Sequence, residues 1–197
     1  MQLKAENIGF RFGNGPWLFR KLYFEINAGE VVGLMGASGR GKTTLSKILA
    51  GYLKPLEGEV SLNDEPILTK GRNPIQLIFQ QPEKSLNPKW KMSKVLKEAE
   101  MLDREILKVL SIETAWLTRR ASELSGGELQ RFCIARSLHR QTKFLIADEI
   151  TTMLDGLTQA QIWQGLLRIV QKREMGILVV SHDEDLIKRV AQRIIKL

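Results

Sequence analysis

A single cysteine, Cys133, stands in 197 residues. It excludes an internal disulfide and points to a reducing, cytosolic compartment. The chain also lacks any run of about 18 or more apolar residues, so it is not expected to span a membrane by itself. Its N-terminus, M-Q-L-K-A-E-N, has none of the apolar core of a signal peptide. No internal repeat and no low-complexity linker is present. Acid is scarce as well: 22 acidic residues stand against 30 basic ones, for a net charge of +8. That balance implies either an acidic partner, such as nucleotide, nucleic acid or anionic lipid, or a basic surface kept for solubility. The densest basic stretch, Pro88–Lys97 (P-K-W-K-M-S-K-V-L-K), has four lysines, one tryptophan and no acid. It faces either a membrane or a partner.

What is present reads as a globular chain. With 43% hydrophobic and 26% charged residues, its length fits one domain with a small inserted subdomain. Val31–Met35, Ile75–Phe79, Phe144–Ala147 and Ile177–Val180 are continuous apolar runs, the pattern of strands buried on both faces. Helical spacing follows at Thr43–Leu53, Gly126–Arg140 and Leu157–Lys172. Alternating strands and helices make the core α/β. Ile8, Phe10 and Phe12 alternate as on a half-buried strand, and Leu22–Ile26 and Glu59–Leu62 are further short strands. Together they predict an antiparallel β layer beside the main sheet. Lys94–Leu110 reads as an amphipathic helical insertion.

Gly36-Ala37-Ser38-Gly39-Arg40-Gly41-Lys42-Thr43, followed by Thr44, matches G-x-x-x-x-G-K-[ST] between an apolar strand and a helix. The glycines let backbone N–H groups curl around phosphate oxygens. The helix N-terminus adds positive charge, Lys42 reaches the β- and γ-phosphates, and the Thr43 hydroxyl suits Mg²⁺. Downstream, Phe144–Ala147 delivers Asp148 and Glu149 to a strand end. One carboxylate is suited to support Mg²⁺ and the next to polarise water for attack on a γ-phosphate.

With these motifs in place, the chain resembles the ATP-binding subunit of ABC transporters over essentially its whole length. Gly36–Thr44 resembles the Walker A loop, Phe79-Gln80-Gln81-Pro82 the Q-loop, and Leu124-Ser125-Gly126-Gly127-Glu128 the signature motif. Phe144–Glu149 resembles Walker B with its catalytic glutamate, Thr152–Asp155 the D-loop, and Ser181-His182-Asp183 the switch histidine. Phe12 matches the aromatic that stacks on adenine, with Phe10 as a competitor, and Asp155 also fits a helix cap. The resemblance implies a P-loop NTPase (RecA-like) core with an antiparallel β subdomain and a helical subdomain at about 83–124. It implies ATP and Mg²⁺ as ligands, the metal held by Thr43 and Gln80 with Asp148 in support. Glu149 would be the general base, His182 would contact the γ-phosphate, and Lys42 and Gln80 would complete the catalytic set. A head-to-tail dimer is implied, homo- or heteromeric, in which one subunit contributes Phe12, Gly36–Thr44, Gln80, Asp148, Glu149 and His182. The other contributes Ser125, Gly126, Gly127 and Asp155.

Some positions depart from the family pattern. Ile150 replaces a usual proline, and Thr152 and Met153 replace usual small residues of the D-loop. The stretch from Gln80 to Ser125 is shorter than the family's helical subdomain leads one to expect. Ending at Ile194-Ile195-Lys196-Leu197, the chain is expected to lack a C-terminal regulatory domain. The resemblance implies a peripheral protein on the cytoplasmic face of the cell membrane. Its implied partners are permease subunits and, for an importer, a substrate-binding protein, with no nucleic acid. The alternatives are a soluble ATPase acting on nucleic acid or a regulatory ATPase outside transport. The run Ser85-Leu86-Asn87-Pro88 is similar to importers of peptides, nickel and metal chelates, and is also an ordinary Asn-Pro turn.

Overall fold

The computed structural model describes residues 1–67, 71–101 and 103–197. Its elements, in chain order, begin with strands β1 (Gln2–Phe10), β2 (Phe19–Asn27) and β3 (Val31–Met35), then helix α1 (Lys42–Leu49). Strands β4 (Glu57–Leu62), β5 (Glu65–Pro66) and β6 (Ile75–Ile78) follow, with helices α2 (Met92–Glu98), α3 (Arg104–Val109) and α4 (Gly126–Ser137) after them. The rest is β7 (Phe144–Asp148), α5 (Gly156–Lys172), β8 (Gly176–Val180), α6 (Glu184–Val190) and β9 (Arg193–Lys196).

Two sheets result. One is antiparallel, in the order β2-β1-β4-β5, and the other runs β6-β7-β8-β3-β9 with every pair parallel. The α/β core beside an antiparallel layer is the architecture the resemblance implied. The continuous apolar runs explain themselves in the parallel sheet, because successive side chains point to opposite faces. Val32, Leu34, Phe144, Ile146, Leu178 and Val180 join one core against the antiparallel sheet and α1. Val31, Met35, Leu145, Ala147, Ile177 and Val179 join the other, beneath α4 and α5. Each fully buried Leu, Ile or Phe contributes about 1.5–3 kcal/mol.

Several boundaries differ from the sequence reading; α4 ends at Ser137 rather than Arg140, for instance, and β6 at Ile78 rather than Phe79. The first helix ends at Leu49 rather than Leu53, since residues 50–53 fold back and the N–H groups of Tyr52 and Leu53 donate to Lys47 O. Lys94–Leu110 is two short helices; the chain turns out of α2 at Glu100, whose φ is +54. Leu102, within that stretch, lies outside the described residues. Phe12 lies beyond β1 in the connection to β2, because the strand stops at Phe10. Cys133 is buried on α4, where burial pushes its thiol up to about 12. Among the described residues, no helix is long and apolar enough to cross a membrane.

Candidate functional site

Four of the predicted residues arrive together because they follow the C-terminal ends of four parallel strands, the edge where open α/β sheets bind ligands. Lys42 follows β3, Gln80 follows β6, Glu149 follows β7 and His182 follows β8. A cavity of about 330 Å³ is lined by Phe12, Leu18, Ser38, Gly39, Gly41, Lys42, Thr43, Thr44, Gln80 and Glu149. An adjoining one of about 310 Å³ brings Thr43, Gln80 and Asp148 onto one wall.

The loop before α1 takes its shape from backbone that only glycine adopts freely. Gly39 and Gly41 have φ of +81 and +95, and a Cβ on Gly41 would lie 2.7 Å from the Leu18 side chain. Lys42 is buried, and its ammonium donates to Gly36 O (2.7 Å) and Ala37 O (3.1 Å). Its charge is thereby held over the loop. Ser38, Gly39, Arg40 and Thr43 are exposed, and Arg40 lies outside the cavity lining.

Asp148 is buried at the end of β7. Burial pushes its carboxyl above the ordinary value and the neighbouring Glu149 adds to that, while the Thr43 hydroxyl, Lys42 and Lys47 oppose it. A cation beside it would reverse the balance. The pairing of a buried carboxylate with the exposed Thr43 hydroxyl and the Gln80 amide suits a hard cation taking few protein oxygens.

Glu149 sits at φ +52, a sparsely populated region for a residue of its kind. Its N–H donates to Val180 O (2.9 Å), which fixes the turn that lifts the carboxylate off the strand. Gln80 Nε2 donates to Glu149 Oε2 (3.0 Å), and Glu149 Oε1 lies 3.3 Å from His182 Nδ1. Thr152 was not anticipated here: its hydroxyl accepts from Gln80 Nε2 (3.2 Å) and donates to Glu149 O (3.1 Å). A polar side chain three residues past the glutamate was the available signal. Ile150 is buried in the core, and Thr151 behind it accepts from Trp163 Nε1 (3.0 Å), so the unusual residue serves as an anchor.

Phe12 and Phe10 separate cleanly. Phe10 is 8% exposed and belongs to the core, while Phe12 is 63% exposed and lines the cavity, its ring edge-on to Phe10 at 5.1 Å.

Ser125, Gly126, Gly127 and Asp155 do not join this cavity. Ser125 caps α4: its hydroxyl accepts from Glu128 N (3.3 Å), and the Glu128 carboxylate accepts from Ser125 N (2.7 Å). Arg131, one turn on, donates to Leu110 O and Gln161 Oε1, tying α4 to the end of α3 and to α5. Asp155 caps α5 by accepting from the N–H groups of Leu157 and Thr158. The two caps are neighbours, since a Cβ on Gly127 would sit 3.3 Å from Thr158 and 3.5 Å from Leu154.

The ABC transporter family profile matches residues 19–152. This chain belongs to the ABC transporter family. It is an ATP-binding and ATP-hydrolysing subunit of such a transporter. Among curated proteins, the nickel import system ATP-binding protein NikE of Staphylococcus aureus (strain N315) is 33% identical, covering 99% of this chain and 86% of that one. Among solved structures, the ATP-binding cassette MJ0796, a dimer in a post-hydrolysis state with ADP and Pi, gives a TM-score of 0.82 at 28% identity. It covers 99% of this chain and 94% of that one. cbiO1 from Clostridium perfringens, part of the ABC transporter complex cbiONQ, gives 0.83 at 25% identity, over 98% and 83% of the two chains.

Proposed function

We propose that this ABC subunit hydrolyses ATP in a head-to-tail dimer, with each site shared between two ATPase subunits, and powers solute import through membrane permeases. The observation that carries the reading is the division of the motifs. Phe12, Gly36–Thr44, Gln80, Asp148, Glu149 and His182 are gathered at one sheet edge, while Gly126 faces open space, with nothing within 4 Å of a Cβ built on it. A glycine that weakens the first turn, by less than the roughly 1 kcal/mol it costs in a helix interior, with no packing reason inside its own chain, suits close approach of a phosphate from outside.

In this reading Phe12 stacks on the base, the Gly36–Thr44 amides and Lys42 hold the phosphates, and Glu149 takes a proton from the attacking water. His182 holds the γ-phosphate. Thr43, Gln80 and Asp148 would hold Mg²⁺, which when bound would neutralise charge on the phosphates. Each Glu149 oxygen has one neighbour, Gln80 or His182, and keeps a lone pair with which to accept a water. Residues 83–124 form a helical subdomain that transmits the motion. The permease would meet the cleft of about 340 Å³ beside it, which is lined by Tyr52, Arg72, Phe79, Glu98, Cys133 and Arg136.

The relationship to NikE, together with Ser85-Leu86-Asn87-Pro88, favours a nickel ion, metal chelate or peptide as cargo. The protein would lie on the cytoplasmic face of the membrane, with a substrate-binding protein outside. Affinity purification from solubilised membranes tests the assembly. Recovery of a permease and a second ATPase subunit is expected; recovery of no membrane protein would overturn it. Size exclusion with Mg²⁺ and ATP tests the shared site, where a hydrolysis-deficient variant should elute as a dimer.

A further inference from the structure

The connection between β1 and β2 carries Phe12 over the phosphate loop, and it is held from behind by a cluster outside the family motifs. The connection is compact: Gly15 N–H donates to Phe12 O (3.0 Å) and Leu18 N–H to Phe10 O (2.9 Å). Leu18 closes onto the phosphate loop itself, against Gly41. Trp17, half-buried, belongs to the same connection. The Arg11 guanidinium lies 5.0 Å and the Arg20 guanidinium 4.7 Å from its ring centroid.

Two like charges at one indole repel each other, and a carboxylate offsets them. Glu57 on β4 accepts from Arg20 Nε (2.8 Å) and Nη2 (2.6 Å), and this hydrogen bonding holds its carboxyl below the ordinary value. Glu57 is in turn fitted to β1. It pairs with Gly9, where a Cβ would lie 2.8 Å from its carboxylate and 3.1 Å from the Trp17 ring. The buried Arg11 Nε has no hydrogen-bond partner, so the ring and the charge of Glu57 hold this guanidinium. The cluster therefore joins β1, β2 and β4 at the root of a short turn. The only large aromatic on that turn facing the cavity is Phe12.

We propose that Trp17, clamped by Arg11 and Arg20, is a positioning residue that fixes Phe12 at the height where a purine ring stacks, and so sets affinity for the base of the nucleotide. This rests on the reading of Phe12 as the base platform. It differs from general stabilisation in one respect: the phosphate half of the ligand is held by α1 and its loop, and the ring of Trp17 meets Arg11 and Arg20 while only its neighbour Leu18 touches that loop.

Calorimetric titration of the full chain with ATP and with inorganic tripolyphosphate, both with Mg²⁺, separates the two halves of the ligand. Trp17→Leu should weaken ATP binding about threefold to tenfold, the worth of one or two cation–aromatic contacts, and leave tripolyphosphate affinity unchanged. Trp17→Phe should restore most of the loss. In a Phe12→Ala background, Trp17→Leu should add nothing further. Wild-type ATP affinity in Trp17→Leu, or equal losses for ATP and tripolyphosphate, would overturn the proposal. If Phe12→Ala weakens ATP while Trp17→Leu does not, the proposal fails alone. If Phe12→Ala leaves the ATP-to-tripolyphosphate ratio unchanged, the reading of Phe12 fails first and the proposal with it. Arg11→Gln, which keeps the indole, should reproduce a smaller part of the ATP-specific loss.

Discussion

The cavity between Phe12 and Glu149 is furnished by its own chain. Lys42 is held by loop carbonyls, and Glu149 by Gln80, His182 and the backbone of Val180. The corner where α4 meets α5 is the opposite. Ser125 and Asp155 are satisfied as helix caps, Gly126 meets nothing, and Met153 beside them is 69% exposed. One region gathers its groups around a cavity, while the other satisfies its own backbone and leaves Gly126 open. Gly127 is fitted closely to Thr158 and Leu154, whereas Gly126 weakens the helix start with no such contact, which is the feature that suits the proposed use of this corner by a partner subunit.

The largest effect is expected at Glu149. In Glu149→Gln, turnover should fall by about 10²–10⁴-fold, the range for loss of a general base, while ATP binding persists and a dimer accumulates. Wild-type turnover, measured by phosphate release, would remove Glu149 from its role. Lys42→Ala should weaken ATP binding about tenfold to a hundredfold, the scale of lost charge-assisted hydrogen bonds. Calorimetry on the isolated subunit reads it, and unchanged affinity would count against the loop assignment. Ser125→Ala should abolish hydrolysis yet leave ATP affinity of the monomer intact. Its melting temperature should also drop by about 2–4 °C, from loss of a cap worth about 1 kcal/mol. Lost affinity in the monomer would place Ser125 in its own chain's site.

The smallest effect is a pH dependence at Asp155. Hydrogen bonding from Thr158 comes first among the influences that lower its carboxyl below the ordinary value. A carboxylate lowered in the folded state stabilises the fold above its unfolded pKa of about 3.9, and that contribution is lost as pH falls through the lowered value. Asp155→Ala should therefore melt below the parent at neutral pH, with the gap narrowing under acid. A gap that stays constant with pH in thermal melts would show that the cap is not carried by charge.

Much of the site was legible because its chemistry demands particular residues at short range. Gly36–Thr43 must supply amides, an ammonium and a hydroxyl within one turn, so the pattern survives as a local string. Phe144–Glu149 likewise needs an apolar strand directly before its acids. Phe12 was less legible: alternation with Ile8 and Phe10 placed it on a strand, and only the end of β1 at Phe10 turned it into the cavity. The Lys94–Leu110 insertion misled for a related reason. Helical spacing persists across Glu100, whose left-handed backbone ends α2 without any glycine or proline to announce it.

The sequence by itself determined the nucleotide chemistry, the order of the motifs and the two-layered α/β plan, all of which rest on contacts between near neighbours or on strand and helix periodicity. Tertiary structure alone decided which motifs share a cavity, that Thr152 joins Gln80 and Glu149, and that Trp17 meets both Arg11 and Arg20. Those contacts join residues brought together by strand order and hairpin closure. Distances of that kind are set by how sheets stack and chains cross, and no local pattern of residues records them.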